Sequence, residues 1–213
     1  MTSAAYLTLA RNGSAEIEVK RSRFLCTLER VEDEAAARAV VDRLRRQHWD
    51  ARHHCSAFVL GPPGAGRTER SSDDGEPAGT AGAPMLEVLR GREVGDVVAV
   101  VTRWFGGTLL GAGGLVRAYG DAVRAGLDAT GTLVRGLVRE LTLEVGHAEA
   151  GRVESELRSR GITVLETSYA ARVVLLLGVP PADEDRLHAL VAELTGGTVR
   201  AVPRGERWLD RPA

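Results

Sequence analysis

A chain of 213 residues is somewhat longer than one average domain, a length that suits one large domain or one medium and one small, and two domains are expected here. Apolar residues make up 44% and charged residues 27%, an ordinary globular balance, and no apolar run approaches the roughly 20 residues that span a bilayer. With 28 basic against 29 acidic residues the chain lacks the global electrostatic footprint of a nucleic-acid binder, which leaves only a local patch for that role.

The opening stretch MTSAAYLTLARNGSAEIEVK has no basic start followed by an apolar core of signal-peptide length, so the expected location is the cytoplasm. Residues 14–31 alternate and carry β-branched and aromatic side chains, the pattern of strands. Ala37, Val40, Val41 and Leu44 then form an i, i+3, i+4, i+7 stripe, which predicts a helix over 33–49 with Asp33 as its N-cap. His53, His54 and Cys55 invite a zinc reading. On a strand His53 and Cys55 share a face that His54 cannot join, and without further ligands at the right spacing no metal is assigned. Cys55 beside two histidines is a weak nucleophile candidate. It and Cys26, the only cysteines, fit no paired metal motif and are expected as buried thiols.

Residues 55–60 are a strand stopped by Gly61, Pro62 and Pro63. The stretch 61–79 has no apolar periodicity and is expected as a long loop, of the kind that is functional or mobile. Helix resumes over 84–90. Residues 96–105 predict a central strand, because Val97 to Val101 leave no polar face. A glycine-rich loop over 106–114 follows, then a helix with the core stripe Leu115, Ala118, Tyr119 and Ala122. Its other face carries Arg117, Asp121, Arg124 and Asp128, expected as i, i+4 pairs in the weaker orientation, cation first. Gly126, Gly131 and Gly136 punctuate a change of composition. Beyond it come a strand through Leu141, Leu143 and Val145, a helix over 149–160, strands over 162–169 and 172–179, a helix over 183–194 and a strand over 198–202. The order β-α-β-β-α-β is that of the split, ferredoxin-like arrangement. The fold class is therefore α+β, with domains at 1–134 and 138–213.

Gly106, Gly107, Gly111, Gly113 and Gly114 stand between a buried strand and a helix N-terminus, where backbone N–H groups favour an anion. The phosphate-loop pattern fails because Ala112 and Gly113 stand where lysine and a hydroxyl residue belong. The dinucleotide pattern fails at Val116. The glycines equally suit positive φ and close helix–sheet packing. Asp73, Asp74 and Glu76 could hold Mg²⁺ or act as an acid–base pair, and with Gly75 and Pro77 among them they also describe a solvated turn. Arg103 is placed to pair with these carboxylates in a charge-assisted bond, which would make both features structural. A histidine near the loop could instead hydrogen-bond the acidic turn. In the second domain the aromatic pattern of RNA-binding sheets is absent, Tyr169 and Trp208 being isolated.

HCSAFVLG at 54–61, SDDGEPAGTAGAPML at 72–86 and VVAVVTRWFGGTLLGAGGLVRAYGDA at 97–122 resemble, in order and spacing, the signature blocks of the YigZ/IMPACT family. The resemblance implies that the first domain adopts the fold shared by the second domain of ribosomal protein S-five, domain four of elongation factor G and the GHMP kinases. It implies that the second resembles the C-terminal domain of elongation factor G. Eukaryotic IMPACT is a translational regulator that restrains a starvation-activated kinase by competing for the kinase's activator, with an RWD domain not found in this sequence. The implied function is a non-enzymatic cytoplasmic regulator of translation. Its implied partners are the ribosome, RNA or a translation-associated protein, with no membrane, cofactor or metal. The alternative is a small-anion or nucleotide-binding enzyme using a cleft between the acidic and glycine-rich loops. The family supplies no catalytic residue. The candidate binding residues are Asp73, Asp74, Glu76, Arg103, Gly106, Gly107, Gly111, Gly113, Arg117 and His54, and Leu109 stands where some members have a loop lysine.

Overall fold

A computed structural model describes residues 5–64 and 66–212. They fall into two units, one comprising the residues up to Val134 with those from Arg211 onward, the other Arg135–Asp210.

In the first unit β1 (Ala5–Leu9) leads to β2 (Gly13–Val19) and β3 (Ser22–Arg30). Lys20 and Arg21, at φ 48° and 66°, form the two-residue turn of this hairpin; with both central residues at positive φ its twist matches that of the strands. Asp33 caps α1 (Glu34–Gln47), its carboxylate accepting from the Ala36 N–H at 2.7 Å. β4 (His53–Leu60), β5 (Thr68–Ser72), α2 (Gly82–Gly91), β6 (Val97–Trp104) and α3 (Ala112–Thr130) follow. β1 apart, these strands form one antiparallel sheet in the order β2-β3-β6-β4-β5.

β6 is the middle strand, and helices cover both faces of it. Val98 and Val100 pack with Ala37, Val40 and Leu44 of α1. Val97, Ala99 and Val101 pack with Met85 and Leu89 of α2 and Tyr119 of α3. Each large apolar side chain so removed from water contributes on the order of 1.5–3 kcal/mol, and burial on both sides is why the segment has no polar alternation. The expected loop over 61–79 instead holds β5, which pairs with β4 from Ser56↔Ser72 to Leu60↔Thr68. As an edge strand of sequence Thr-Glu-Arg-Ser-Ser it buries no side chain, so periodicity could not reveal it.

The second unit takes in most of β7 (Thr132–Val145) and of β10 (Val202–Pro212), with α4 (His147–Ser159), β8 (Thr163–Tyr169), β9 (Val173–Val179) and α5 (Glu184–Thr195) between them. β9 lies between β7 and β8 in antiparallel register, and β10 pairs with β7. One face is buried: Leu141, Leu143, Leu175 and Leu177 pack beneath Val153 and Leu157 of α4 and Leu187, Leu190 and Val191 of α5. This is the split βαβ order, and the molecule is α+β. Two expectations change. The closing strand starts at Val202 and not at 198, although Ala201 is already in the core. Gly126 lies inside α3 and Gly136 inside β7, so of the three glycines Gly131 alone ends an element, as the C-cap of α3.

Candidate functional site

Registers at one end of the first sheet align Phe24, Arg103 and His53 across β3, β6 and β4. Arg103 is 6% exposed. Its guanidinium lies 5.3 Å from the centre of the Phe24 ring and 5.9 Å from that of Phe105, and it pairs with the Glu76 carboxylate. The Tyr119 hydroxyl of α3 donates to the same Glu76 oxygen at 2.8 Å. His53 Nε2 stands 3.9 Å from it, while His53 Nδ1 is 2.9 Å from the Asp74 carbonyl oxygen. A carbonyl only accepts, so Nδ1 carries the hydrogen it donates there, and Nε2 is the ring nitrogen that faces Glu76. Burial and the neighbouring Cys55 and Glu76 push the Tyr119 phenol up, which keeps it a donor.

The acidic loop turns its carboxylates inward. Asp73 Oδ1 accepts from the N–H groups of Ala81 (3.0 Å) and Gly82 (2.8 Å), and Oδ2 from that of Gly79 (2.8 Å). The α2 N-cap residue, Ala81, offers no side-chain cap, and Asp73 supplies one from upstream in the chain. Burial alone would raise the Asp73 pKa, but these three backbone donors outweigh it and hold the carboxyl below its ordinary value. Asp74, at φ 41°, accepts from Arg45 of α1 at 2.5 Å and from the His54 N–H at 2.7 Å. With Glu76 on Arg103, all three acids are consumed in joining elements of the fold.

The glycine loop is shorter than the sequence suggests. α3 starts at Ala112, so Gly113 and Gly114 belong to its first turn. Gly106 donates its N–H to Ser22 Oγ at 3.1 Å. A Cβ there would lie 2.0 Å from the backbone carbon of Arg21, so only glycine lets the loop rest on the β2–β3 turn. Gly107 and Gly111 sit at φ 84° and 72° on the open side, Gly111 being the α3 N-cap. Between the two loops is a cleft of about 420 Å³, lined by His53, Glu76, Pro77, Arg103, Phe105 and Leu109 to Ala112 among others.

Several expected site residues lie elsewhere. The His54 side chain is on the opposite sheet face from His53, as strand alternation demands, and is 5% exposed. Burial lowers its pKa, against the raising effect of the Asp74 carboxylate. Arg117 lines a groove between α2 and α3 with Val88 and Arg124, away from the cleft. On the same helix Asp121 pairs with Arg124 at 2.6 Å and Asp128 with Arg92 at 2.8 Å, replacing the expected i, i+4 pairs. The Cys55 thiol lies 3.0 Å from the Asp73 carbonyl oxygen and 3.3 Å from the Tyr119 hydroxyl. Burial pushes it up to about 12, which leaves no thiolate to act as nucleophile near neutrality. His53 and Tyr119 are the residues that sequence reasoning left out of the site. A phenol within an apolar helical stripe was the available signal, since a buried hydroxyl needs a partner.

The pattern of the Impact N-terminal domain matches residues 20–127, and that of a domain of unknown function, DUF1949, matches residues 143–198. The chain is 41% identical over 193 residues to IMPACT family member YvyE of Bacillus subtilis (strain 168), covering 91% of this chain and 88% of that protein. It is 40% identical over 183 residues to IMPACT family member YigZ of Escherichia coli (strain K12), covering 86% and 90%. A crystal structure of a hypothetical protein is similar at a TM-score of 0.61 and 37% identity, over 94% of this chain and 97% of that one.

Proposed function

This chain belongs to the IMPACT family, and from that premise we propose that it is a non-enzymatic cytoplasmic regulator of translation, acting by binding RNA or protein associated with the ribosome. The observation that carries the reading is the state of the acidic loop. Asp73, Asp74 and Glu76 are each engaged by partners within the fold. The Cys55 thiol is held protonated. What the loops present outward is Phe105, 44% exposed, and Leu109, 82% exposed, groups suited to contact and not to proton or acyl transfer. Sedimentation of the tagged chain with ribosomes across a salt series tests it. The expected result is co-sedimentation at low salt; absence from every ribosomal fraction at low salt overturns the reading.

One observation favours a second reading. The cleft is lined by Gly111 and Ala112 at the N-terminus of α3, whose backbone N–H groups suit a small anion such as a phosphorylated metabolite. A ligand at a hundred times its Kd stabilises the folded chain by about 2.7 kcal/mol and raises Tm accordingly. A thermal-shift series with nucleotides and phosphorylated metabolites that leaves Tm unmoved removes this reading.

A further inference from the structure

Four chain segments converge at the end of the first sheet where β6 stops. Trp104, its last residue, donates Nε1–H to the Asp50 carboxylate at 2.9 Å and stands edge-on to His48 at 5.4 Å, both just beyond α1. The Arg23 guanidinium of β3 lies 4.7 Å from the centre of the Trp104 ring. The Arg52 N–H donates to the Arg103 carbonyl at 3.1 Å, and Gly106 rests on the β2–β3 turn. Trp104 thus ties the α1 end to β3, while its neighbours Arg103 and Gly106 tie in the start of β4 and the hairpin turn.

The groups around that joint divide by partner. Arg23 is matched by Glu16, Arg45 by Asp74 and Arg103 by Glu76. Asp50 is held by Trp104, and Glu18, across from Arg23 in the hairpin, has no ion pair of its own among the described residues. Lys20, Arg21, Arg46 and Arg52 remain, all exposed and without an ion pair among the described residues. Two aromatic rings flank them: Trp49 is 83% exposed and Phe105 44% exposed. In a chain of formal charge −1, this is a local segregation of cations around open aromatic faces. Cations alone suit any polyanion. Exposed rings among them suit unstacked bases, which need a π-face to lie on, whereas a duplex hides its bases and an acidic peptide has none to stack.

We infer that this end of the sheet binds single-stranded RNA, bases stacking on Trp49 and Phe105 while Lys20, Arg21, Arg46 and Arg52 neutralise phosphates. The choice of RNA over DNA rests on the translation reading; the single-stranded site rests on the geometry. Fluorescence anisotropy of the full chain with a labelled short uridine oligomer, its duplex, its DNA counterpart and polyglutamate tests it. The single strand is expected to bind best, with a log–log salt slope near −2.8 for four phosphates at about −0.7 each. Trp49→Ala and Phe105→Ala are each expected to weaken binding about tenfold, and Arg46→Glu with Arg52→Glu to flatten the slope. Both positions are exposed, and an unchanged Tm shows that each variant is folded. No single-strand binding at about 50 mM salt, equal binding by the variants, or preference for duplex, DNA or polyglutamate overturns the inference. If the Trp49→Ala Arg52→Glu variant loses the oligomer yet still sediments with ribosomes, ribosome association uses another surface and the regulatory reading stands without this site. If the wild-type chain binds the oligomer but no ribosomal fraction, the site stands and the regulatory reading falls.

Discussion

The acidic loop between β5 and α2 and the glycine-rich loop between β6 and α3 face each other across one cleft, and they are built in opposite senses. The first is polar in sequence and turns its carboxylates into the fold, onto α2, α1 and β6. The second is apolar and small, rests its backbone on the β2–β3 turn, and leaves Leu109 in solvent. Hydrophilicity therefore marks the joint here and apolarity marks the surface. Charged residues clustered among glycines and prolines identify a contact site only if nothing within the chain can take up their hydrogen bonds.

The contrast is sharpest at Glu76. Glu76→Ala strands a buried guanidinium and a buried phenol, and is expected to cost about 3–5 kcal/mol in urea unfolding. Glu76→Gln, which still accepts from Tyr119, should cost less. A loss under about 1 kcal/mol for the alanine variant would return the acidic loop to the surface class, since exposed pairs are worth that little. Next comes Gly106→Ala, where the added methyl meets the Arg21 backbone; a cost of about 1–3 kcal/mol is expected. At Gly107 a Cβ meets nothing within 4 Å, so only its positive φ penalises alanine, by about 1 kcal/mol.

Asp73→Asn follows. Its cost should approach the 0.5–2 kcal/mol typical of a lost cap, or about that range, and it carries a pH signature. The folded-state pKa of Asp73 is depressed, so its stabilisation is complete above the unfolded value near 3.9 and is lost as pH falls through the folded value. The gap between wild type and variant should be full at neutral pH and close in acid. A gap independent of pH would show that the three backbone donors do not sense the charge. The smallest effect belongs to the opposite loop: Leu109→Ser should change stability by no more than about 0.5 kcal/mol.

What the sequence revealed follows the range of the interactions. α1 was legible in its stripe and cap, β6 in its unbroken valines, and the second unit in its order of periods, because each signal lies within one element. β5 was hidden because an edge strand can be wholly polar. β10 was misplaced because Pro203 and Gly205 mask its start. At the site, residue types were readable but partners were not. Glu76 meets Tyr119 and Arg103 at separations of 43 and 27 residues, and Asp73 caps a helix eight residues downstream. The choice of His53 over His54 depended on the phase in which β4 begins, a quantity set by its register with Arg103.

The bonds that Asp73 accepts from Gly79, Ala81 and Gly82 bear on how the chain meets a protease. A stretch reading Asp-Gly-Glu-Pro-Ala-Gly has the composition of a cleavable connector. Cutting requires the backbone to be drawn out into an extended strand, and that means releasing those three amides and, through Glu76, the Arg103 guanidinium of β6. The segment therefore opens with α2 as part of one cooperative unit, so its cleavage rate should track unfolding of the sheet and not local fraying.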